Sequence, residues 1–315
     1  MPNVVSRRKG ANMELRVLRY FLAVAREENI SAAADYLHLT QPTLSRQLMD
    51  LEKELGKKLL IRGNRKITLT EEGVFFRKRA QEIIELVDKT ANDFHADDDF
   101  ISGSVHIGGG ETDAMRLIAG AVKKMEGKYP HIQYHIFSGN GDEVKEKLDM
   151  GLLDFGVLIE PADIQKYDYL KLPRQDTWGL LMRKDSPLAE RRLIHPEDLA
   201  SLPLLCSRQT LVENTMAGWL GFDYEKLNIR ATYNLIYNAA LMVEEGVGYA
   251  LALDKLVNTT GDSPLCFRPL SPPLKANLNL VWKKYQVFSK AAEKFLQQVQ
   301  EEIRLCLRNP DKNIL

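Results

Sequence analysis

The chain has 315 residues, 44% of them hydrophobic, and its 43 basic side chains balance 43 acidic ones. This composition excludes a disordered or low-complexity protein and leaves room for two or three domains. No apolar run approaches the ~20 residues needed to cross a bilayer, and the opening MPNVVSRRKGAN has no apolar signal core, so the chain is expected in the cytoplasm with no membrane partner. Cys206, Cys266 and Cys306 are too few and too scattered for a disulfide framework or a CxxC metal site, and read as free thiols. Charge is unevenly placed. Through His95 there are 17 Lys and Arg against 13 Asp and Glu, and beyond it 26 against 30. A modest positive bias at the front agrees with nucleic-acid binding confined to that part, without establishing it.

Residues 1–12 form an N-terminal extension, either a basic arm or a stretch upstream of the start at Met13. Leu15, Leu18, Leu22 and Ala25 give the inner face of a first helix ending near Glu28. The stretch Ile30–Met49, ISAAADYLHLTQPTLSRQLM, then reads as two short helices joined by a tight turn. Ser31 is expected to cap the first of them, and Ala32 to Ala34 are small enough for a close helix crossing. Leu39 marks the turn, Thr40 is expected to cap the second helix, and Pro42 sits where a missing N–H costs nothing. Leu44, Leu48, Leu51 and Leu55 define its buried face, leaving Pro42, Thr43, Ser45, Arg46 and Met49 outward. Short hydroxyls and an Arg on that face suit a DNA major groove. Asp50, Glu52 and Glu54 would meet phosphates with like charge, so only the first two turns should approach DNA. Lys58–Arg62 and Arg65–Leu69 read as two strands around the turn Gly63-Asn64, a wing whose Arg62, Arg65 and Lys66 can touch phosphates.

These residues carry a resemblance. Met13–Arg62 resembles, without a gap over about fifty residues, the N-terminal domain of LysR-type bacterial transcriptional regulators, with the core Thr40-Gln41-Pro42-Thr43-Leu44-Ser45. Together with the reading above, it gives a candidate DNA-binding set of Ser31, Ala32, Gln41, Pro42, Thr43, Ser45, Arg46, Arg62, Arg65 and Lys66. The resemblance implies an α/β protein with an α-rich N-terminal winged helix-turn-helix and a two-lobed, periplasmic-binding-protein-like effector domain made of two Rossmann-like subdomains. It also implies promoter DNA as partner, a homodimer or more often a homotetramer, and RNA polymerase among the partners such a regulator can contact.

Thr70 caps a long helix, Glu71 to Phe94, in which Phe76, Ala80, Ile83, Val87, Ala91 and Phe94 form an apolar seam. A helix this long between two domains is expected to pair with its copy in a second subunit rather than lie on its own chain, and the resemblance implies the same dimer contact. The reading therefore divides the chain into a DNA-binding domain 13–70, a linker helix 71–96 and an effector domain 101–315. From Ser104, strands and helices alternate, which argues for parallel sheets with crossover helices. The first set has strands Val105–Gly108, Ile132–Phe137 and Phe155–Ile159 with helices Thr112–Lys124 and Asp142–Met150. A second set has strands Trp178–Met182, Pro203–Cys206, Ile229–Tyr233 and Tyr249–Leu253, with helices from Leu211 and over Leu235–Glu245. Strand Asn277–Trp282 and helix Ser289–Leu307 return to the first set. Lobe I is thus 101–172 plus 275–307 and lobe II 176–268.

Ligands of such lobes bind beyond the carboxyl ends of strands, where helix starts offer free N–H groups. That rule selects Gly110, Glu111, Thr112, Ser138 and Gly139 on one side, and Ser207, Arg208 and Asn234 on the other, as effector-binding candidates. Arg208 favours an anion and Glu111 an amine, so a zwitterion or polar metabolite suits both. No cofactor is expected beyond an unidentified small effector. Two rival classes fit less well. An enzyme would need a constellation that is missing: the chain has no G-x-S-x-G, no phosphate loop, no H-E-x-x-H and no full G-x-G-x-x-G. His131 and His135 alternate along a strand, about 13 Å apart at ~3.3 Å per residue, and cannot share a metal alone. A solute-binding protein would leave Met13–Leu69 unexplained.

Overall fold

The computed structural model describes residues 13–63, 66–94, 101–208, 216–221 and 224–308. The chain forms two compact units, Met1–Ala91 and Asn92–Leu315.

In the first unit, α1 (Leu15–Glu27) buries Val17, Leu18, Phe21 and Val24. The inner face is thus turned from the expected one: Leu15 is exposed and Leu22 only half-buried. Helix α2 (Ile30–Tyr36) is capped by Asn29, whose side chain accepts from the Ser31 and Ala32 N–H groups at 2.8 and 3.1 Å. Ser31 is therefore a capped residue, not the cap; the side chain two positions upstream, in extended backbone, is the one that reaches the free N–H groups. Ala33 and Ala34 are buried where the helices cross. Thr40 does stand at the N-cap of α3 (Gln41–Leu55), but makes no cap bond; its hydroxyl pairs with that of Thr43 at 2.8 Å. Leu44, Leu48 and Leu51 fill the core beneath.

Strands β1 (Leu60–Arg62) and β2 (Ile67–Leu69) pair antiparallel, with Arg62 opposite Ile67. The predicted turn residue Asn64, and Arg65, lie outside the described residues. Thr70 caps α4 (Glu71–Phe94) as expected, accepting from Gly73 N–H at 2.9 Å. Gly73 has to be glycine: a Cβ there would lie 2.1 Å from the Leu59 carbonyl oxygen. The α4 seam divides. Phe76, Ala80 and Ile84 pack on Leu18 and Leu22 of the same chain, with Phe76 edge-on to Phe21 at 4.9 Å. Val74, Phe75, Ile83 and Leu86 stay exposed. Two residues of the expected intersubunit seam, Phe76 and Ala80, are thus intramolecular, because α1 offers them an apolar neighbour first.

The second unit holds two sheets. One has the order β4-β3-β5-β13-β6, from β3 (Ser102–Gly109), β4 (His131–Ser138), β5 (Phe155–Ile159), β6 (Tyr167–Lys171) and β13 (Leu278–Lys283). The other has the order β11-β7-β10-β8-β9, from β7 (Asp176–Arg183), β8 (Leu204–Ser207), β9 (Ile229–Tyr233), β10 (Tyr249–Leu253) and β11 (Leu265–Pro269), with β12 (Lys275–Ala276) beside β7. Each has a parallel centre, β4-β3-β5 and β10-β8-β9. Neither is wholly parallel. β13 runs antiparallel to β5 and β6, and β7 antiparallel to β10 and β11, so the all-parallel expectation is corrected. The reason is connectivity: these strands enter directly from the crossings between lobes, with no crossover helix to reverse them.

The first sheet is covered by α5 (Met115–Glu126) and the closing helix α8 (Lys290–Arg308), whose Phe295 and Val299 meet Val105, Ile107 and Phe155 in one core. Its other face takes α6 (Gly141–Asp149). In the second sheet, alternation along β7 sends Leu180 and Met182 to one core and Leu181 to the other, where α7 (Ile236–Glu244) packs with Ile236, Ala239, Ala240 and Val243. The helix predicted from Leu211 begins outside the described residues. The three cysteines are free, Cys206 and Cys266 being buried; burial pushes the Cys206 thiol up to about 12, which makes it inert.

Candidate nucleic-acid interface and effector cleft

In the first unit the leucines of α3 face the core, so Gln41, Pro42, Thr43 and Arg46 stand exposed along its first two turns. Ser31 and Ala32 are exposed at the start of α2. Ser45 is half-buried and accepts from Arg62 Nη1 at 3.1 Å, which ties the wing strand to α3. Lys66 forms an ion pair with Glu28 at 2.6 Å, so its charge is shared before any phosphate arrives. Arg65 lies outside the described residues. One expectation is overturned. Glu52 does not face outward; its buried carboxylate accepts from the Leu59 and Leu60 N–H groups at 2.8 and 3.1 Å and from Lys58 at 3.0 Å. Burial pushes that carboxyl up, but the two backbone donors and Lys58 outweigh it and hold it below its usual range. Only Asp50 and Glu54 then remain exposed to repel a phosphate backbone at the far end of α3.

In the second unit, a cleft of about 580 Å³ of empty space, open to solvent, lies beyond the carboxyl ends of β3 and β8. Of the candidates, Gly110, Glu111, Gly139, Ser207 and Asn234 line it. Thr112 and Ser138 line a second opening with Arg116 and Lys255. Arg208 is exposed and lines neither.

The loop after β3 is engaged in joining the lobes. Glu111 Oε2 accepts from Ile236 N–H at 2.5 Å, at the start of α7. Thr112 Oγ1 donates to Asp176 Oδ2 at 2.5 Å, and both residues are buried. Asp113 faces Arg116 at 2.6 Å and Lys255 at 3.6 Å. Thr112 therefore holds the lobe crossing rather than pointing at a ligand, and Glu111 already occupies one of the helix starts on which the effector reading relied.

Residues that strand-end logic alone did not select complete the lining: Ile159, Glu160, Trp178, Ile236 and Leu253 among them. Glu160 follows directly on β5, so that rule applied one strand further would have found it. Its carboxylate accepts from Asn279 and Asn277, both at 2.8 Å, and the Asn279 bond leads in holding its pKa below the usual carboxylate value. Trp178 comes from an antiparallel strand, where no such rule points. Tyr233 donates to the Leu251 carbonyl at 2.6 Å, and burial pushes its phenol upward. His135 stacks on His106 at 4.5 Å across the β3–β4 pair. Among the described residues, no three His, Cys, Asp or Glu side chains are grouped to hold a metal ion.

Comparison with known proteins agrees with this architecture. The family of LysR substrate binding domains matches residues 99–304, and the lysR family of bacterial regulatory helix-turn-helix proteins matches residues 15–74. The chain belongs to the LysR family of DNA-binding transcriptional regulators, with a DNA-binding N-terminal domain and a substrate-binding domain for effectors. Among its relatives is the Hca operon transcriptional activator HcaR of Escherichia coli (strain K12), 28% identical over 299 residues, covering 92% of this chain and 98% of that one. The crystal structure of CbnR, a LysR family transcriptional regulator, has the same fold with TM-score 0.72 at 19% identity, over 92% of this chain and 99% of CbnR. Full-length CbnR complexed with its target DNA gives TM-score 0.70 at 20% identity, over 92% of this chain and 100% of that one.

Proposed function

We propose that the chain binds a two-fold-related promoter site by inserting the start of α3 into the major groove, with the wing on the flanking backbone, and that a small effector in the cleft sets the geometry of that binding. The observation that carries this is the face of α3: Gln41, Pro42, Thr43 and Arg46 exposed directly above a core of Leu44, Leu48 and Leu51. The CbnR structure with its target DNA supports the same use of the fold. Ser31 and Ala32, at the start of α2, and Ser45 with Arg62 complete the proposed interface; Lys66 joins it by exchanging Glu28 for phosphate, and Arg65, outside the described residues, is proposed as a further phosphate contact.

The exposed Phe75, Ile83 and Leu86, on one side of α4, are the proposed contact between two copies, and a dimer of dimers is the proposed working assembly. RNA polymerase is a further partner in this reading. No catalysis and no cofactor are assigned to the cleft. Among the described residues no helix is long and apolar enough to cross a membrane, and we place the protein with its DNA in the cytoplasm. The effector acts only through a difference in its affinity for two lobe arrangements, since equal affinity shifts nothing.

The test is footprinting of the full chain on the DNA upstream of its own gene, at several salt concentrations. Protection of a two-fold-related site that persists against random genomic competitor is the expected result. Protection that competitor abolishes equally at every position would refute sequence-specific binding.

A further inference from the structure

We infer that the cleft of the second unit takes a small cationic amine that also carries a neutral hydrogen-bond acceptor, and that it is built against carboxylates. This rests on the effector-cleft reading above and deepens it. The first argument concerns where an anion could sit. In lobes of this kind the receptors for an anion are free N–H groups at helix starts. At three helix starts among the described residues around this cleft, the protein has filled such groups itself. At α7, Ile236 N–H is given to Glu111. At α6, the Asn140 side chain accepts from the Asp142 and Glu143 N–H groups at 3.0 Å each, and Glu143 in turn accepts from Asn140 N–H at 2.9 Å. At α5, Ala114 N–H donates to Thr112 Oγ1 at 3.0 Å. An incoming carboxylate would have to displace Glu111 to gain a place that a carboxylate already holds.

The second argument is the charge of the lining. Glu111 and Glu160 both line the cleft, and no Lys, Arg or His is among the described residues that line it. Glu160 keeps its charge because Asn277 and Asn279 both donate to it. Arg116 and Lys255 line an adjoining opening that shares Gly110, Glu111 and Leu256 with the cleft, and both face Asp113, while Lys171 acts on Glu160 without lining the cleft. Two carboxylates in a lining that holds no cation among the described residues favour an ammonium over an organic acid.

Trp178 supplies the third, independent observation. It lines the cleft, is 6% exposed, and its indole N–H has no acceptor among the described residues. A buried donor without a partner costs free energy that a ligand oxygen recovers. The ligand therefore needs a hydroxyl, carbonyl or amide oxygen beside its amine. A neutral acceptor does this without setting a negative charge against Glu111 and Glu160.

The experiment labels the full chain with 5-fluorotryptophan and follows the Trp178 fluorine resonance, assigned with Trp178→Phe. The probes are matched sets on phenyl, cyclohexyl and butyl bodies, each offered as an amino amide, as an N-acetyl amino acid carrying the carboxylate, and as the neutral N-acetyl amide. The expected result is that the amino amides shift Trp178 with affinities about tenfold or more above their carboxylate partners, and that Glu160→Gln reduces this preference severalfold in protein that still unfolds cooperatively. Carboxylates that move Trp178 as tightly as the amines would overturn the amine assignment and leave the effector cleft standing. If no probe of any charge moves Trp178, the amine assignment and the effector-cleft reading fall together.

Discussion

Beneath the wing of the N-terminal unit lies Glu52, 4% exposed, whereas at the lobe crossing of the C-terminal unit lies Asp176, 5% exposed. Glu52 receives two backbone N–H groups and a lysine, and its carboxyl sits below the usual range despite burial. Asp176 receives the Thr112 hydroxyl and the Asp113 backbone N–H, but burial, helped by the neighbouring Asp113 charge, drives its carboxyl up against those bonds. Surface exposure alone does not decide whether a carboxylate keeps its charge; the depth of protein around it, the neighbouring charges and the donors aimed at it decide together. The difference matches the work of each place. The wing corner is a fixed brace that holds β1 to α3, and the lobe crossing is a joint held by few bonds.

The comparison can be broken at the cores first. Phe21→Ala should cost the N-terminal unit about 3–5 kcal/mol and leave the unfolding transition of the C-terminal unit in place, as read by calorimetry. A single merged shift would mean that the units do not unfold separately. Glu52→Ala should cost the N-terminal unit about 3 kcal/mol, because two buried N–H groups lose their acceptor. Its pH signature follows from a folded pKa lowered below the unfolded value. The stabilisation is present above the ordinary glutamate range and is lost as pH falls through the depressed value. Glu52→Gln should therefore flatten the acid limb of stability in that unit. Thr112→Val should cost the C-terminal unit about 1 kcal/mol. Here the sign reverses. Asp176 is raised, so its contribution is present below the ordinary aspartate range and is lost as pH rises through the raised value. Without the Thr112 hydroxyl that loss should steepen, which thermal unfolding in mildly acidic and mildly basic buffer would reveal.

Much of the N-terminal unit was legible because its signals are local. Thr40-Gln41-Pro42 marks a helix start, and Leu44, Leu48 and Leu51 at helical spacing mark its buried face. The cap of α2 was misplaced by two residues, since Asn29 and Ser31 are both good caps and only the backbone angles at Asn29 choose between them. Glu52 was illegible: a glutamate amid Asp50 and Glu54 reads as solvated, and its partners Leu59 and Leu60 are brought to it only by the fold. Strands β6 and β11 went unread because Asp168 and Lys171 in β6, and Arg268 and Pro269 in β11, break the apolar pattern. In the cleft, strand-end positions led to Gly110, Glu111, Gly139, Ser207 and Asn234. What Glu111 does there was hidden, because its partner Ile236 lies 125 residues away and no local pattern couples them.

The central claim is that the start of α3 reads sequence, and the measurement nearest to it is a mobility shift of wild type and Arg46→Ala on operator and scrambled DNA across a salt series. Loss of about 1–3 kcal/mol on the operator, with binding to scrambled DNA and its salt slope little changed, is the result predicted for a base-reading arginine. Equal weakening on both DNAs with a flatter salt slope would make Arg46 a phosphate contact, and unchanged binding on both would remove it from the interface.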